Sequence, residues 1–192
     1  MGPVMTEPEK TWSSAILSGL VSGTVASVVS TVALSILGKA ELDKFAAPVN
    51  GPSQWIWGRH APYQDNFSLR YTLIGYGIHH AASVFWAIWY EKLRQQLAPA
   101  ESAAAVLAPA VATTVAAYAV DFHFTPKRLT PGFEHRLSQS SLLIVYGTFA
   151  LGLAATVLFV RKPSRRRYTA SRFALPINAA PRKSGAPAFR KH

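Results

Sequence analysis

The sequence predicts an all-α fold, a bundle of four transmembrane helices. Four long segments lack any Asp, Glu, Lys or Arg, and each can cross the roughly 30 Å hydrocarbon core of a bilayer as a helix. Hydrophobic residues make up 49% of the 192 residues and charged residues only 15%, a low charged fraction for a water-soluble domain. We therefore expect an N-terminal arm at residues 1–12, a transmembrane domain at 13–160 and a disordered basic tail at 161–192.

The first predicted helix covers residues 13–38. This run is too long for the apolar region of a cleaved signal peptide, and the arm before it carries two glutamates, so we interpret it as a retained span. Gly19, Gly23, Ser27 and Ser30 recur within it at helical spacing. They predict a smooth stripe along which another helix approaches closely.

A long connection follows at residues 39–70 and contains Trp55 and Trp57 beside several prolines. One interpretation is a segment that lies in the membrane interface, the depth that tryptophan prefers. The other is a lid folded over the helix ends. The pattern favours interfacial anchoring.

The second predicted helix covers residues 71–90 and carries His79 and His80 near its middle. Adjacent helical residues point about 100° apart, so only one of the two can face a given neighbour squarely. The ordinary interpretation is that each neutral imidazole bonds a carbonyl or hydroxyl group of an adjacent helix. A role as a ligand or proton acceptor is the alternative. Residues 91–101 are interpreted as a short polar link.

The third and fourth predicted helices cover residues 102–120 and 140–160, and Pro109 is expected to bend the third. Four spans place both termini and residues 91–101 on one side of the membrane. That side carries 13 of the 20 Lys and Arg residues and the other side carries 7. The excess predicts cytoplasmic termini. Five of the six histidines then belong to the outer half, together with Asp121.

This outer polar cluster supplies the candidate ligand or metal residues. A carboxylate next to an imidazole can fix its tautomer, and the two could hold a divalent metal with a histidine of the neighbouring helix. The spacing signal is weak, since no HxxxH or HExxH pair occurs. An ion pair of the carboxylate with Lys127, Arg128 or Arg136 is the favoured alternative. The main candidates are His79, His80, Asp121 and His123, and the secondary candidates are His60, Tyr76 and His135.

Other chemistry is less favoured. A b-type haem needs two axial imidazoles, but only the second predicted helix contains histidine within a span. Nucleophile elbows and phosphate-binding glycine loops are absent from the sequence, and so is cysteine, which excludes disulfides and thiolate chemistry. No cofactor is therefore predicted, with metal or haem kept as alternatives.

The basic tail predicts attraction to anionic lipids of the inner leaflet. Nucleic acid is the less favoured partner, because no folded nucleic-acid-binding module is present. The lipid-binding candidates directly follow the fourth predicted helix and are Arg161, Lys162, Arg165, Arg166 and Arg167.

Three segments, GPSQWIWG (51–58), SLRYTLIGYGIHHAASVFWAIWYE (68–91) and VDFHFTPKRLTPGFEHRLS (120–138), resemble small bacterial inner-membrane proteins grouped in families of unknown function. The resemblance covers roughly residues 50–145. It implies a four-helix membrane fold and a bacterial source, and it implies no activity.

The sequence thus favours a small non-enzymatic inner-membrane protein of interaction or accessory type. Its expected partners are the lipid bilayer and either another membrane protein or further copies of itself. A metal- or haem-binding redox enzyme subunit and a small oligomeric transporter or channel are the alternatives.

Overall fold

The computed structural model describes residues 11–97 and 102–160, and within them it contains helices and no strands. The N-terminal arm before residue 11 and the basic tail, including its lipid-binding candidates, lie outside the described residues. Six α-helices follow in order: α1 Trp12–Leu42, α2 Ala47–Asn50, α3 Gln54–Trp57, α4 Ile74–Gln96, α5 Ala103–Ala119 and α6 Gln139–Ala155. Wider π-helical turns lead into α4 at Leu69–Leu73 and continue α5 and α6 at Val120–Phe124 and Thr156–Val160.

Helix α1 is the centre of the bundle and packs against both α4 and α6. Gly19 and Gly23 of the predicted stripe are buried, and Cβ atoms added to them would lie within 3 Å of the backbone of Ile88 and Val84 in α4. On its other side, α1 meets α6 where Gly152 faces Ala26. The predicted close helix approach is confirmed, because small side chains let these helices nearly touch.

The first helix is longer than predicted, since it continues four residues beyond residue 38. It ends at Leu42, and the residue that caps it, Asp43, has a left-handed φ of 57°. Glu41, in its last turn, reaches the start of α6, where a carboxylate oxygen accepts a 2.8 Å hydrogen bond from the Ser138 backbone N–H. The same carboxylate accepts bonds from the Ser138 and Ser141 hydroxyl groups. Glu41 therefore ties the end of α1 to the beginning of α6.

Helix α4 extends six residues past the predicted end at residue 90, so residues 91–96 of the expected polar link are helical, and residues 98–101 lie outside the described residues. Glu91 is fully buried, and its Oε2 lies 2.8 Å from Nη2 of Arg94. The two residues are three apart, the spacing at which helical side chains meet. Pairing with arginine offsets the cost of burying the carboxylate at this end of the bundle.

Helices α5 and α6 match the third and fourth predicted helices to within a few residues. Pro109 is buried inside α5, and the helix continues through it. Tolerance of this proline is expected in a bundle, where small neighbours accommodate the ring.

The two connections at one end of the bundle form what we term the cap, residues 43–73 and 125–138. Its first half contains α2 and α3, and every residue from Ala47 to Gln54 is buried. Asn50 organises it: its side-chain NH2 donates to the Gln64 carbonyl at 2.7 Å, and its Oδ1 accepts from the Thr72 hydroxyl at 2.6 Å. The segment folds over the helix ends, as the lid interpretation expects, and its anchoring in the membrane interface stays a prediction.

The two halves of the cap bind each other. Gln54 Nε2 donates to the Thr130 carbonyl at 2.8 Å, and Arg136 forms a 2.6 Å ion pair with Asp65. The Arg136 guanidinium also donates to the Pro62 carbonyl at 3.0 Å. These contacts join segments more than 70 residues apart, so they hold the two connections together at one end of the bundle.

Three helical stretches are long and apolar enough to cross a membrane, namely Trp12–Leu42, Ala103–Phe124 and Gln139–Phe159. They indicate a membrane protein. Helix α4 falls short by composition, because its histidines, tyrosines and tryptophans are less apolar than aliphatic side chains. The structure thus supports three of the four predicted spans by length and composition.

Candidate functional site

A pocket of about 70 Å³ lies beneath the cap, between α1, α4, α5 and α6. Each of these helices contributes to its wall, and the cap contributes its roof. Most of the wall is apolar. Its polar side chains are Ser30, His79, Ser83, Asp121 and Tyr146, and its Trp, Tyr and Phe rings belong to Trp55, Trp86, Phe133, Tyr146 and Phe149.

His79 enters the pocket from α4 and meets α1. Its Nε2 lies 2.9 Å from the Ser30 hydroxyl oxygen, which itself lies 2.8 Å from the Ala26 carbonyl oxygen. A hydroxyl group has one hydrogen. When Ser30 donates it to Ala26, as serines in helices commonly do, Nε2 carries the imidazole hydrogen and donates to Ser30. The predicted bond from an imidazole to a hydroxyl of an adjacent helix is confirmed for His79.

Asp121 enters from the opposite side, in the π-helical turn that continues α5. Its Oδ2 accepts a 2.5 Å hydrogen bond from the Tyr146 hydroxyl of α6. Among the described residues it forms no ion pair: Arg136 binds Asp65 instead, and Lys127 and Arg128 are exposed. The favoured prediction of an ion pair to one of these bases is therefore wrong. Insertion of a π-helical turn is frequent at functional sites.

The other two main candidates do not line this pocket. His80 packs against the ring of Tyr76, with 5.8 Å between ring centroids, and its buried Nδ1 has no hydrogen-bond partner among the described residues. His123 is exposed, with its ring 6.5 Å from that of Tyr118. The predicted Asp121–His123 pair is thus not formed, because the aspartate faces α6 whereas the histidine faces outwards.

The secondary candidates lie around the cap. His60 is exposed and meets the ring of Tyr71 edge-on at 6.1 Å, whereas His135 is exposed and lies 6.4 Å from the Tyr63 ring. Within residues 11–97 and 102–160, no three His, Asp or Glu side chains are grouped as a metal ion would require. The predicted outer histidines therefore share one end of the molecule without forming one cluster.

Sequence reasoning missed Tyr146, because a tyrosine within an apolar helix is equally suited to general packing. It also missed the buried Glu91, for which a signal did exist. Glu91 and Arg94 are spaced for an ion pair on one helical face immediately after an apolar run. Ser30 was identified only as a small packing residue, and its bond to His79 depends on the α1–α4 register.

Comparisons with family models, with characterised protein sequences and with solved structures give no match. Function is therefore inferred from the pocket and from the helices that build it.

Proposed function

We propose that this chain is a small non-enzymatic protein of the bacterial inner membrane, an interaction or accessory component that binds a small molecule beneath its cap. The observation that carries the proposal is that His79 and Asp121, from different helices, line one pocket. Polar groups converging on a mostly apolar cavity are typical of a small-molecule site. An ionisable side chain in a membrane-spanning segment is also a functional candidate by default.

Binding is favoured over metal or redox catalysis by the set of donors. His79 and Asp121 are the only His, Asp or Glu residues among those that line the pocket. Catalytic zinc sites use three protein ligands, and bis-imidazole haem uses two histidines. A pocket with one imidazole and one carboxylate instead suits recognition of an organic molecule.

Filling the pocket tests this proposal. Ala82 lines it, whereas the neighbouring Ala81 is exposed on the outside of α4. We expect Ala82→Phe to occupy the pocket and Ala81→Phe to leave it open. Purified protein in mild detergent is screened by thermal unfolding against cationic, neutral and anionic compounds of matched size.

At least one compound class should raise the unfolding temperature of the wild type and of Ala81→Phe, and have no effect on Ala82→Phe. The proposal is refuted if no class stabilises the wild type, or if both variants respond equally.

We further propose that α4 is the fourth span and that both termini lie in the cytoplasm. At 1.5 Å per residue, the 23 residues of α4 extend about 35 Å, enough to cross a bilayer. Its tight packing along α1 supports a parallel or antiparallel path through the same membrane. The excess of Lys and Arg beyond the uncapped end supports the orientation.

The absence of cysteine makes this topology directly testable. Arg59 in the cap and Gln96 at the end of α4 are both exposed, and α4 is the only long helix between them. In intact spheroplasts, a membrane-impermeant maleimide should label Arg59→Cys, and it should label Gln96→Cys only after permeabilisation. The reverse pattern contradicts the orientation, and equal labelling of both contradicts a membrane-spanning α4.

A further inference from the structure

The charge of the pocket wall restricts which ligands it can accept. None of the lining residues is Lys or Arg, and Asp121 is the one carboxylate among them. Its sole hydrogen bond among the described residues comes from the neutral Tyr146 hydroxyl. A carboxylate in apolar surroundings is stabilised most by a positive partner, and no described residue supplies one.

The basic side chains nearest to Asp121 in the cap either bind other groups or are exposed. Arg136 is held by Asp65 and by the Pro62 carbonyl, and Lys127 and Arg128 are exposed. A second carboxylate, Glu134, lies in the cap, where its Oε1 is 3.6 Å from Nε2 of His135. Oε2 of Glu134 is buried and accepts no hydrogen bond from the described residues. Asp121 therefore has no positive partner among the described residues.

The rest of the wall suits the apolar part of a cation. Five Trp, Tyr or Phe rings surround the pocket. The faces of such rings attract ammonium groups, and tryptophan does so most strongly. At about 70 Å³, the cavity exceeds the space of a single water molecule several times. Two lining residues of the cap, Trp55 and Leu129, are also exposed and mark where the pocket meets the surface.

We infer that the pocket binds a small apolar organic cation, such as a substituted ammonium ion, with its charge against Asp121 and its substituents among the aromatic rings. This inference rests on the proposed function, because it names the ligand class of the same site.

A pair of probes with nearly the same shape tests the inference. The compact tetramethylammonium ion carries a permanent positive charge, and neopentane is its neutral counterpart with carbon in place of nitrogen. Binding to the full-length protein in detergent is measured by the ligand-induced shift in unfolding temperature over a concentration series. We expect the wild type to bind the cation at least about tenfold more tightly than the neutral probe.

Asp121→Asn should weaken cation binding about thirtyfold and leave binding of the neutral probe nearly unchanged. Asp43→Asn makes the same chemical change at an exposed position away from the pocket, and it should alter neither affinity. Tyr146→Phe retains the carboxylate and should retain the preference for the cation. The preference for the cation over the neutral probe is measured on the wild-type protein. It therefore tests the inference even if Asp121→Asn folds poorly.

The inference is overturned if the neutral probe binds as tightly as the cation, if neither probe binds, or if Asp121→Asn keeps the preference. Failure of the inference can be told apart from failure of the proposed function. When anionic or neutral compounds stabilise the wild type and Ala82→Phe abolishes that effect, the small-molecule site stands and only the cation is wrong. When no compound class binds, both are wrong.

Discussion

Gly75 is the point where the cap rests on α4, and replacing it tests how the two are joined. A Cβ atom added there would lie 2.2 Å from the Val49 carbonyl oxygen, whereas ordinary contact begins near 3.4 Å. The cap and α4 would have to separate by about 1.2 Å, the difference between these two distances. Val49 precedes Asn50, so the movement would also strain the hydrogen bonds that Asn50 makes within the cap.

Gly77 provides a matched control in the same helix, because a Cβ atom there would meet nothing within 4 Å. Gly75→Ala and Gly77→Ala both gain the helix propensity of alanine, about 1 kcal/mol in a helix interior. The gain in helix propensity is the same for both variants. The difference between their free energies of unfolding therefore measures the steric clash at residue 75. We expect Gly75→Ala to be less stable than Gly77→Ala by about 1–3 kcal/mol, the usual cost of overpacking.

The assay is unfolding of the purified variants in mild detergent by added denaturing detergent, followed by circular dichroism and tryptophan fluorescence. Gly77→Ala should unfold at the same or a higher concentration than the wild type, and Gly75→Ala at a lower one. Equal midpoints for the two alanine variants would refute the close cap–helix contact.

Three further predictions use the same unfolding assay. Glu41→Ala removes the acceptor at the start of α6 and should cost about 0.5–2 kcal/mol, as loss of a helix N-cap does; an unchanged midpoint would contradict this role. His79→Ala should destabilise by about 1 kcal/mol and more than His80→Ala, because only the first imidazole bonds α1; equal effects would count against that bond. Arg136→Ala breaks contacts within the cap and should destabilise by about 1–3 kcal/mol, whereas Arg128→Ala, at an exposed site, should not; similar midpoints would show that the ion pair contributes little.

The long helices could be predicted because hydrocarbon imposes a simple rule on sequence. An uncharged run of about 20 residues predicts a long helix, and three of the four predicted spans are supported by length and composition. The Gly19–Gly23 stripe was enough to indicate where helices meet closely. The second helix was harder to delimit. Its charged end, read as a link, stays helical because Glu91 is buried beside Arg94.

The cap and the pocket could not be predicted in the same way. Gln54 finds its acceptor 76 residues away, and Asp121 finds its donor 25 residues away on another helix. Such pairings depend on how neighbouring helices are aligned and rotated relative to each other. An apolar segment predicts a helix but not that alignment. From the sequence alone, the basic residues that follow Asp121 were its expected ion-pair partners. In the structure Arg136 pairs with Asp65, and Lys127 and Arg128 are exposed.

The way the cap is closed also bears on how the chain is made. Gln54 leaves the ribosome long before Thr130, its acceptor, and Glu41 long before Ser138. The first half of the cap must therefore wait with unsatisfied polar groups while two more helices are synthesised. A nascent chain stopped before residue 130 would leave that half of the cap open, and the segment from Thr130 to Ser138, which precedes α6, supplies the partners that close it.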